Sequence, residues 1–474
     1  MEIASSTKQR AELLLALQRH GVDSLSFTAS ESSMLHWVDV ATEAHVAYVD
    51  TGSAWVAVGA PLTSRAYRGK AARNFIHAAH AASRDACFFG TETLASRDLA
   101  SFLIGMQPVI RPREWLAAQS RHFREQLRRA KAKGVHVRRV DSRDLREGSP
   151  LRSELERCAA EWLDVRHMEP MGFVVALELF HHPEEHRYFV AELDGVVVEF
   201  LSAVPIFGRH GWLVEDVIRT STAPNGTSEL LLDALVGDVV ESSDMVTLGV
   251  SPLTSQVAWP LRVARIIMRP LFDFEGLYAF RRRLHPTLWE PVYLTYPRAE
   301  SPWPHLLEAL RAFARGSLLR FGTRSILRQP SGPPWLLALP LLPWCLSLGA
   351  LVVAGHASLL GFSSAQLAAW VVFDSVLATA LYRAALHPRF ANLCAVASVA
   401  AIDAAFSIHH CVTVGWGMGA ETLLRAAAVA GPFCGTVVLL WACHRSQAQR
   451  SSGRRGRSAN SARESGLLVS KSPP

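Results

Sequence analysis

The last third of the chain holds four apolar stretches, at about 335–355, 366–386, 391–414 and 421–443, and these constrain the fold most. Each is close to the ~20 residues that a helix needs to cross the hydrocarbon of a bilayer. A backbone in hydrocarbon has no water to bond, so its amides and carbonyls must pair within a helix or a closed barrel. About four transmembrane α-helices are therefore expected, behind some 330 residues that fold in water. A Pro-rich link, QPSGPP at 329–334, separates the two compositions.

Basic residues orient those spans. Arg320, Arg324 and Arg328 precede the first, and Arg383 and Arg389 flank the short loop between the second and third. Arg445, Arg450, Arg454, Arg455 and Arg457 follow the fourth, whereas the loops HASLLGFSS and GWGMGA lack Lys and Arg. Cationic loops stay on the cytoplasmic side. A multi-pass protein of the inner (plasma) membrane is expected, with both termini and the water-soluble region cytoplasmic. The tail SSGRRGRSANSARESG reads as a disordered basic strand near anionic lipid. The N-terminal MEIASSTKQRAELLLALQRHG has an apolar run too short and too interrupted by charge for a signal peptide. Asp374, Asp403, His409 and His410 fall within the spans, where such groups either line a polar cavity or bond between helices.

The formal charge of +7 favours phosphate-bearing partners without choosing between nucleic acid and anionic lipid. Seven Cys occur with no CxxC pair, and five lie in apolar stretches, which implies neither a disulfide framework nor a zinc ribbon.

Residues 1 to about 300 read as α/β. AYVD (47–50) and AWVAVGA (54–60) form paired strands around Thr51 and Gly52, followed by a helix near 66–84 and a strand at ACFFG. Later, RYFVAEL and VVVEFLSAVP flank Asp194-Gly195, the favoured pair for a two-residue hairpin turn in which both central residues need positive φ. A helix over about 226–242 then leads to the strand MVTLGV. Each half thus shows the β, β, α, β order of an acyltransferase lobe. The expected divisions are a first lobe at 1–140, a second at 141–300, an amphipathic helix and linker at 301–334, the spans at 335–443 and the tail at 444–474.

Two basic helices stand out. In the first, Arg121, Arg124, Arg128 and Lys131 recur at helical spacing opposite Leu116, Phe123, Leu127 and Ala130, and residues 114–140 contain only Glu114 and Glu125 as acids. This is either a solvated face or an electrostatic track for phosphates, tRNA phosphates among them. In the second, Leu306, Leu307, Leu310, Phe313 and Ala314 share a stripe, with Arg311, Arg315, Arg320, Arg324 and Arg328 largely off it. That is the pattern of a helix lying on lipid headgroups.

EDVIRTSTAPNGTSELLLDALV, MVTLGVSPLTS and FDFEGLYAFRRRLHPTLWEPVYLTYPR together resemble the C-terminal synthase domain of lysylphosphatidylglycerol synthases. Members of that family carry an Asp-x-x-Arg, an Ala-Pro-Asn-Gly before a helix, a Leu-Gly-x-x-Pro-Leu strand end and a closing Trp-Glu-Pro-x-Tyr-Leu-x-Tyr-Pro. Weaker agreement extends to REQLRRAKAKG, to the segment from Glu161-Trp162-Leu163 to Met171-Gly172-Phe173, and to AWVAVGAP, so most of residues 25–300 is covered. The resemblance implies tandem GNAT-like acyltransferase lobes that move an amino acid from aminoacyl-tRNA to a hydroxyl of phosphatidylglycerol or a related lipid. The donor ester is already activated, so such a site aligns the hydroxyl, accepts its proton and stabilises an oxyanion. It implies no cofactor and no metal.

Carried over by motif, Asp216 and Arg219 become the catalytic carboxylate and guanidinium at one cleft mouth, or else a structural ion pair. Asn225 and Gly226 precede a helix whose amides face a phosphate or a carbonyl oxygen, or form a plain cap. Arg281 and Arg283 stand where the family has Lys and would pair with lipid phosphate, unless they belong to a solvated face. Trp289, Glu290, Pro291, Tyr293 and Tyr296 match the closing motif, with Glu290 and Tyr293 as substrate contacts and core packing as the competing role of the aromatics. One extra residue separates Pro286 from Trp289.

Three departures bear on the substrate: Gly59-Ala60-Pro61 replaces a usual Gly-Asp-Pro, Glu275 replaces a common Gln, and no long membrane region precedes the lobes. Two further patterns carry little. His80 and Asp85 have glycerolipid-acyltransferase spacing at the end of an Ala-rich helix, and Pro183 opposes a zinc-site geometry for His182 and His186. The rival functions are a GNAT-type acyl-CoA transferase, for which Ala223-Pro-Asn-Gly226 alone occupies the place of the phosphate loop, and an inactive membrane scaffold.

Overall fold

Strands from the first 300 residues pair into one mixed 12-stranded sheet in the computed structural model, which describes residues 2–92, 94–165, 171–254, 256–269, 272–328, 332–414, 426, 429–444 and 447. Two compact units divide the chain, residues 1–267 with 273–321 and residues 268–272 with 322–474.

The first unit begins with α1 (Glu2–His20), β1 (Leu35–Asp39), β2 (Ala44–Asp50), β3 (Ala54–Val58), α2 (Arg68–Ala81), β4 (Asp85–Thr91) and β5 (Leu99–Ile110). It continues with α3 (Pro112–Ala117), α4 (Arg121–Ala132), β6 (His136–Val140), α5 (Pro150–Val165), β7 (Arg187–Leu193), β8 (Val196–Ile206) and β9 (Gly211–Arg219). After these come α6 (Thr227–Val239), β10 (Met245–Thr247), β11 (Ser251–Pro252), α7 (Trp259–Met268), α8 (Phe274–Arg283) and β12 (Leu288–Pro297). The strand order is β1-β2-β3-β4-β12-β5-β10-β9-β8-β7-β6, with β11 paired to β5. Each half keeps the expected β, β, α, β order and adds a strand to it, β1 ahead of the first and β9 before α6 in the second.

Local chemistry accounts for the second half. Asp194 and Gly195 take φ of 52° and 78°, and Leu193 faces Val196, so the β7–β8 hairpin closes through the two-residue turn. β8 is an almost unbroken apolar run because both its faces are covered. Val198, Leu201 and Ala203 meet the core under α4 and α6, while Val197 and Phe200 meet Leu155 and Cys158 of α5.

Three long-range placements differ from expectation. β12 runs antiparallel between β4 and β5, so the last strand of the supposed second lobe completes the first, and both lobes fall in one compact unit. The single helix expected to carry Leu116 and Arg121 to Lys131 is two, because the Ser120 side chain accepts the Phe123 amide at 3.2 Å and starts a new helix; Leu116 therefore lies on α3 and not on the basic one.

The amphipathic helix is also two, α9 (Pro302–Phe313) and α10 (Leu318–Arg328), separated by left-handed Arg315 and Gly316. α9 buries His305, Glu308, Ala309 and Ala312 and leaves Leu307 and Leu310 exposed. Leu306 and Phe313 of the expected stripe pack against the core, whereas Leu307 and Leu310 stay open. Glu308 accepts hydrogen bonds from Thr51 at 2.5 Å and Ser53 at 2.8 Å, and His305 stacks on Tyr296, which turns the polar side inward.

In the second unit, α11 (Gly332–Val353), α12 (Ser364–Leu386) and α13 (Phe390–Val414) are long and apolar enough to cross a membrane, and α14 (Val429–His444) is a shorter apolar helix. Residues 421–425, where the expected fourth span starts, and the tail from 448 lie outside the described residues. Ser363 and Gln366 form a reciprocal cap that starts α12. Leu377, Leu381, Leu393, Val396 and Leu439 form the core of this unit.

Candidate functional site

Gly226 decides how closely two helices approach. It has φ of 95°, and a Cβ there would lie 2.4 Å from the Gln126 carbonyl oxygen of α4. Glycine alone therefore lets α6 begin against α4. Beside that contact is a cavity of about 400 Å³, lined by His122, Gln126 and Arg129 of α4 and Lys133 just past its end, by Arg219 and Asn225, by Gly226, Ser228 and Glu229 at the start of α6, and by Phe280 and Arg283 of α8. Four cationic side chains face the one carboxylate of Glu229, and the positive end of the α6 dipole adds to them. The lining is net cationic.

Arg219 is held at its wall. Its Nη2 donates to the Ala223 carbonyl at 2.6 Å and to Asn225 Oδ1 at 3.3 Å, and its Nε lies 3.9 Å from Glu199. Glu199 is fully buried and accepts the Ser228 hydroxyl. Burial pushes its carboxyl up to about 7, against the opposing pull of Ser228 and Arg219.

Asp216 lies elsewhere. Asp216 pairs with Ser202 and Arg219 with Glu199 along an unbroken register, and residues three apart on a strand point to opposite faces. The two do not share one cleft mouth. Ser202 donates to Asp216 at 3.4 Å, and Asp216, Glu178 and Glu215 surround Glu31. Glu215 meets His186 Nε2 at 3.2 Å, and Ser32 donates to Glu178 at 3.0 Å. Glu31 is 7% exposed, and its Oε2 has no hydrogen-bond partner among the described residues. Burial, then the charges of Glu215, Glu178 and Asp216, push the Glu31 carboxyl up to about 9.

Arg281 is turned inward. It donates to the carbonyls of Leu248 at 2.5 Å and Gly249 at 3.0 Å and to the Ser251 hydroxyl at 2.9 Å, and burial lowers it to about 10. It braces the link from β10 to β11, while Arg283 reaches the cavity. Glu290 receives a two-pronged pair from Arg209 at 2.7 and 2.8 Å, and Arg209 also bonds Glu92 at 2.8 Å. Burial, then Asp23, push the Glu92 carboxyl upward. Tyr293 is half-buried on β12, where its carbonyl accepts from Thr91 at 3.3 Å, and Trp289 packs on Tyr278. Arg121, Arg124, Arg128 and Lys131 are exposed on α4, whose packed side is Phe123, Leu127 and Ala130.

The sequence model of the family described as phosphatidylglycerol lysyltransferase, C-terminal, matches residues 15–296, more than half of the chain. The chain belongs to that lysyltransferase family. Among solved structures, the C-terminal domain of an Agrobacterium fabrum protein described as a lysylphosphatidylglycerol synthetase is 18% identical with a TM-score of 0.56, over 66% of this chain and 99% of that one. L-PGS from Bacillus licheniformis is 18% identical with a TM-score of 0.56, over 64% of this chain and 96% of its own. At that identity the likeness shows the fold, which is GNAT-like. No curated protein matches significantly. Membership of the lysyltransferase family supports a transferase of the lipid-aminoacylating class that acts on phosphatidylglycerol, and the three apolar helices suggest a membrane protein.

Within this lysyltransferase-family fold, the turn with the Ala60 departure has a carboxylate beside it. Asp23 places a carboxylate at that turn, accepting the Ala60 amide at 2.7 Å and the Glu92 amide at 3.1 Å. Sequence reasoning missed His122, Gln126, Arg129 and Lys133, although they recur at helical spacing beside the basic stripe. It also missed Glu31 and Glu199, which no local pattern marks.

Proposed function

We propose that this chain transfers an aminoacyl group from aminoacyl-tRNA to a hydroxyl of phosphatidylglycerol or a related membrane lipid, at the cytoplasmic face of the inner membrane. The observation that carries this is the cationic cavity at the N-terminus of α6 in a member of the lysyltransferase family. Arg219, Asn225, Gly226 and Arg283 hold a substrate phosphate there, and Arg121, Arg124, Arg128 and Lys131 guide the tRNA backbone along the adjoining side of α4. Arg281 positions the β10–β11 link. Glu290 and Tyr293 bound the acceptor side on β12.

In the transfer, the lipid hydroxyl oxygen attacks the ester carbonyl carbon, the bond to the terminal ribose oxygen breaks, and the proton passes from the hydroxyl to that oxygen. Asp216 is assigned to relay the proton, with Glu31 and Glu215 beside it. Because Asp216 and Arg219 face opposite ways, phosphate recognition and proton transfer are separate duties. The same separation, together with the inward turn of Arg281, favours a second reading: a scaffold that kept the fold and lost turnover.

The test is transfer of radiolabelled amino acid from a panel of charged tRNAs into extractable lipid by the full-length protein in vesicles. Asp216→Asn should lower turnover by about 10²- to 10³-fold, whereas Arg219→Ala should mainly weaken substrate binding. Full activity in Asp216→Asn removes it from the chemistry. Incorporation from acyl-CoA but from no aminoacyl-tRNA selects the other enzyme class, and no transfer from any donor selects the scaffold.

A further inference from the structure

A buried acid stands directly behind the cationic cavity. Glu199 is 0% exposed on β8 and pairs with Arg219 across the β8–β9 ladder. Its Oε1 accepts the hydroxyl of Ser228, the second residue of α6. Its Oε2 has no hydrogen-bond partner among the described residues, and Arg219 Nε stays 3.9 Å away. The two side chains that Glu199 meets, Ser228 and Arg219, both line the cavity. A carboxylate that is desolvated and only half satisfied is costly, and one added proton removes the charge.

The other charged and titratable groups of the surrounding elements divide into two sets. Glu229 of α6, His122 and Arg129 of α4, Lys133 and Arg283 line the same cavity, with Arg129 also paired to Glu125. Outside it, Glu161 of α5 accepts the Ser221 hydroxyl at 3.0 Å and lies 3.6 Å from Arg157, while Glu192 of β7 pairs with Arg138 at 2.9 Å.

The two protonation states of Glu199 present different cavities. An ionised carboxylate only accepts, so Ser228 must donate its single hydrogen inward, and Arg219 shares its charge with Glu199. A protonated carboxyl donates to Ser228 Oγ instead. That turns the hydroxyl hydrogen towards the cavity and leaves the guanidinium charge to whatever fills it. An anion in the cavity repels the ionised state and bonds to the groups that the protonated state releases. Burial acts in the same direction, pushing the carboxyl up to about 7.

We propose that Glu199 is a positioning residue of the cavity: entry of an anion draws one proton from solvent onto Glu199, which turns the Ser228 hydroxyl to the anion and frees the Arg219 charge for it. The proposal rests on the reading of the cavity as the substrate-phosphate site. It adds that phosphate recognition there is linked to proton uptake behind the cavity wall. The linkage has a definite sign. Below about pH 7 Glu199 is already protonated and anion affinity is level. Above it, each binding event must take up a proton, so affinity falls as pH rises.

The probe is inorganic sulfate, whose charge is constant across this range, titrated calorimetrically into the full-length protein in lipid nanodiscs at constant ionic strength. Buffers of different ionisation enthalpy give the protons taken up per sulfate. The wild type should take up close to one proton near pH 8, and its affinity should fall by up to about tenfold per pH unit above pH 7. Glu199→Gln, which keeps a donor towards Ser228, should bind with neither uptake nor pH dependence. Ser228→Ala should weaken binding at pH 6, where the hydroxyl faces the anion, and His122→Gln should leave the uptake in place. Binding that Arg219→Ala does not weaken overturns the phosphate-site reading and this proposal with it. Binding that needs Arg219 but takes up no proton overturns the proposal alone, as does uptake that survives Glu199→Gln and disappears in His122→Gln. The wild-type proton count stands even if a variant does not fold.

Discussion

Glu31 shows how one side chain records the packing of a whole region. It sits between the end of a short helical turn and β1, and only tertiary structure brings Glu178, Glu215 and Asp216 around it. Its carboxyl is raised to about 9, above the usual carboxylate range, so the native state keeps a proton that the unfolded chain gives up. The stabilisation this proton provides is complete below about pH 4.5 and is lost as pH rises through about 9. Glu31→Gln mimics the protonated form at every pH. The variant should match the wild type near pH 4 and exceed it by at least about 1 kcal/mol near pH 8, read from urea midpoints by tryptophan fluorescence. Parallel pH profiles for the two proteins would remove the charge crowding around Glu31. Asp216 and Arg219 teach the complementary lesson: their identity was legible in the Asp-x-x-Arg motif, but their separation follows from strand alternation in β9 and the register of β8, which a motif does not encode.

α4 shows what a single element can and cannot reveal. Its basic side and its packed side, Phe123, Leu127 and Ala130, were both legible because helical spacing is a local property. Its start at Ser120 was not, since the cap competes with continuation of α3, whose Trp115 indole N–H donates to the distant Leu284 carbonyl at 2.7 Å. If α4 carries tRNA, replacing Arg121, Arg124, Arg128 and Lys131 together with Gln should weaken tRNA binding steeply and flatten its salt dependence. Each lost phosphate contact should remove a log–log slope of about 0.7 to 0.9. Filter binding over a salt series measures both, and unchanged affinity and slope would make α4 an ordinary solvated face. α9 divides in the same way: its apolar stripe was legible in the spacing, but the hydrogen bonds from Thr51 and Ser53 that draw Glu308 inward were not.

At the scale of the whole molecule, charge asymmetry around the apolar helices predicts that residues 1–330 and the tail beyond Arg445 share the cytoplasmic side. A reporter fused after Arg457 should read cytoplasmic, and an external reading would mean an odd number of spans. The sequence by itself determined the helix-long apolar stretches, the Asp194-Gly195 hairpin, the alternation of strands and helices, and the family. These depend on hydrogen-bond closure in hydrocarbon, on φ preferences and on side-chain periodicity, all of which act between residues close in the chain. Tertiary structure alone decided that β12 enters between β4 and β5, that Gly226 lets α6 abut α4 beside a cavity lined by cationic side chains, and that Glu31 and Asp216 share a crowded acidic pocket. Each of those outcomes joins segments from about 100 to 200 residues apart, where pairing, close packing and desolvation act only once the chain has brought them together.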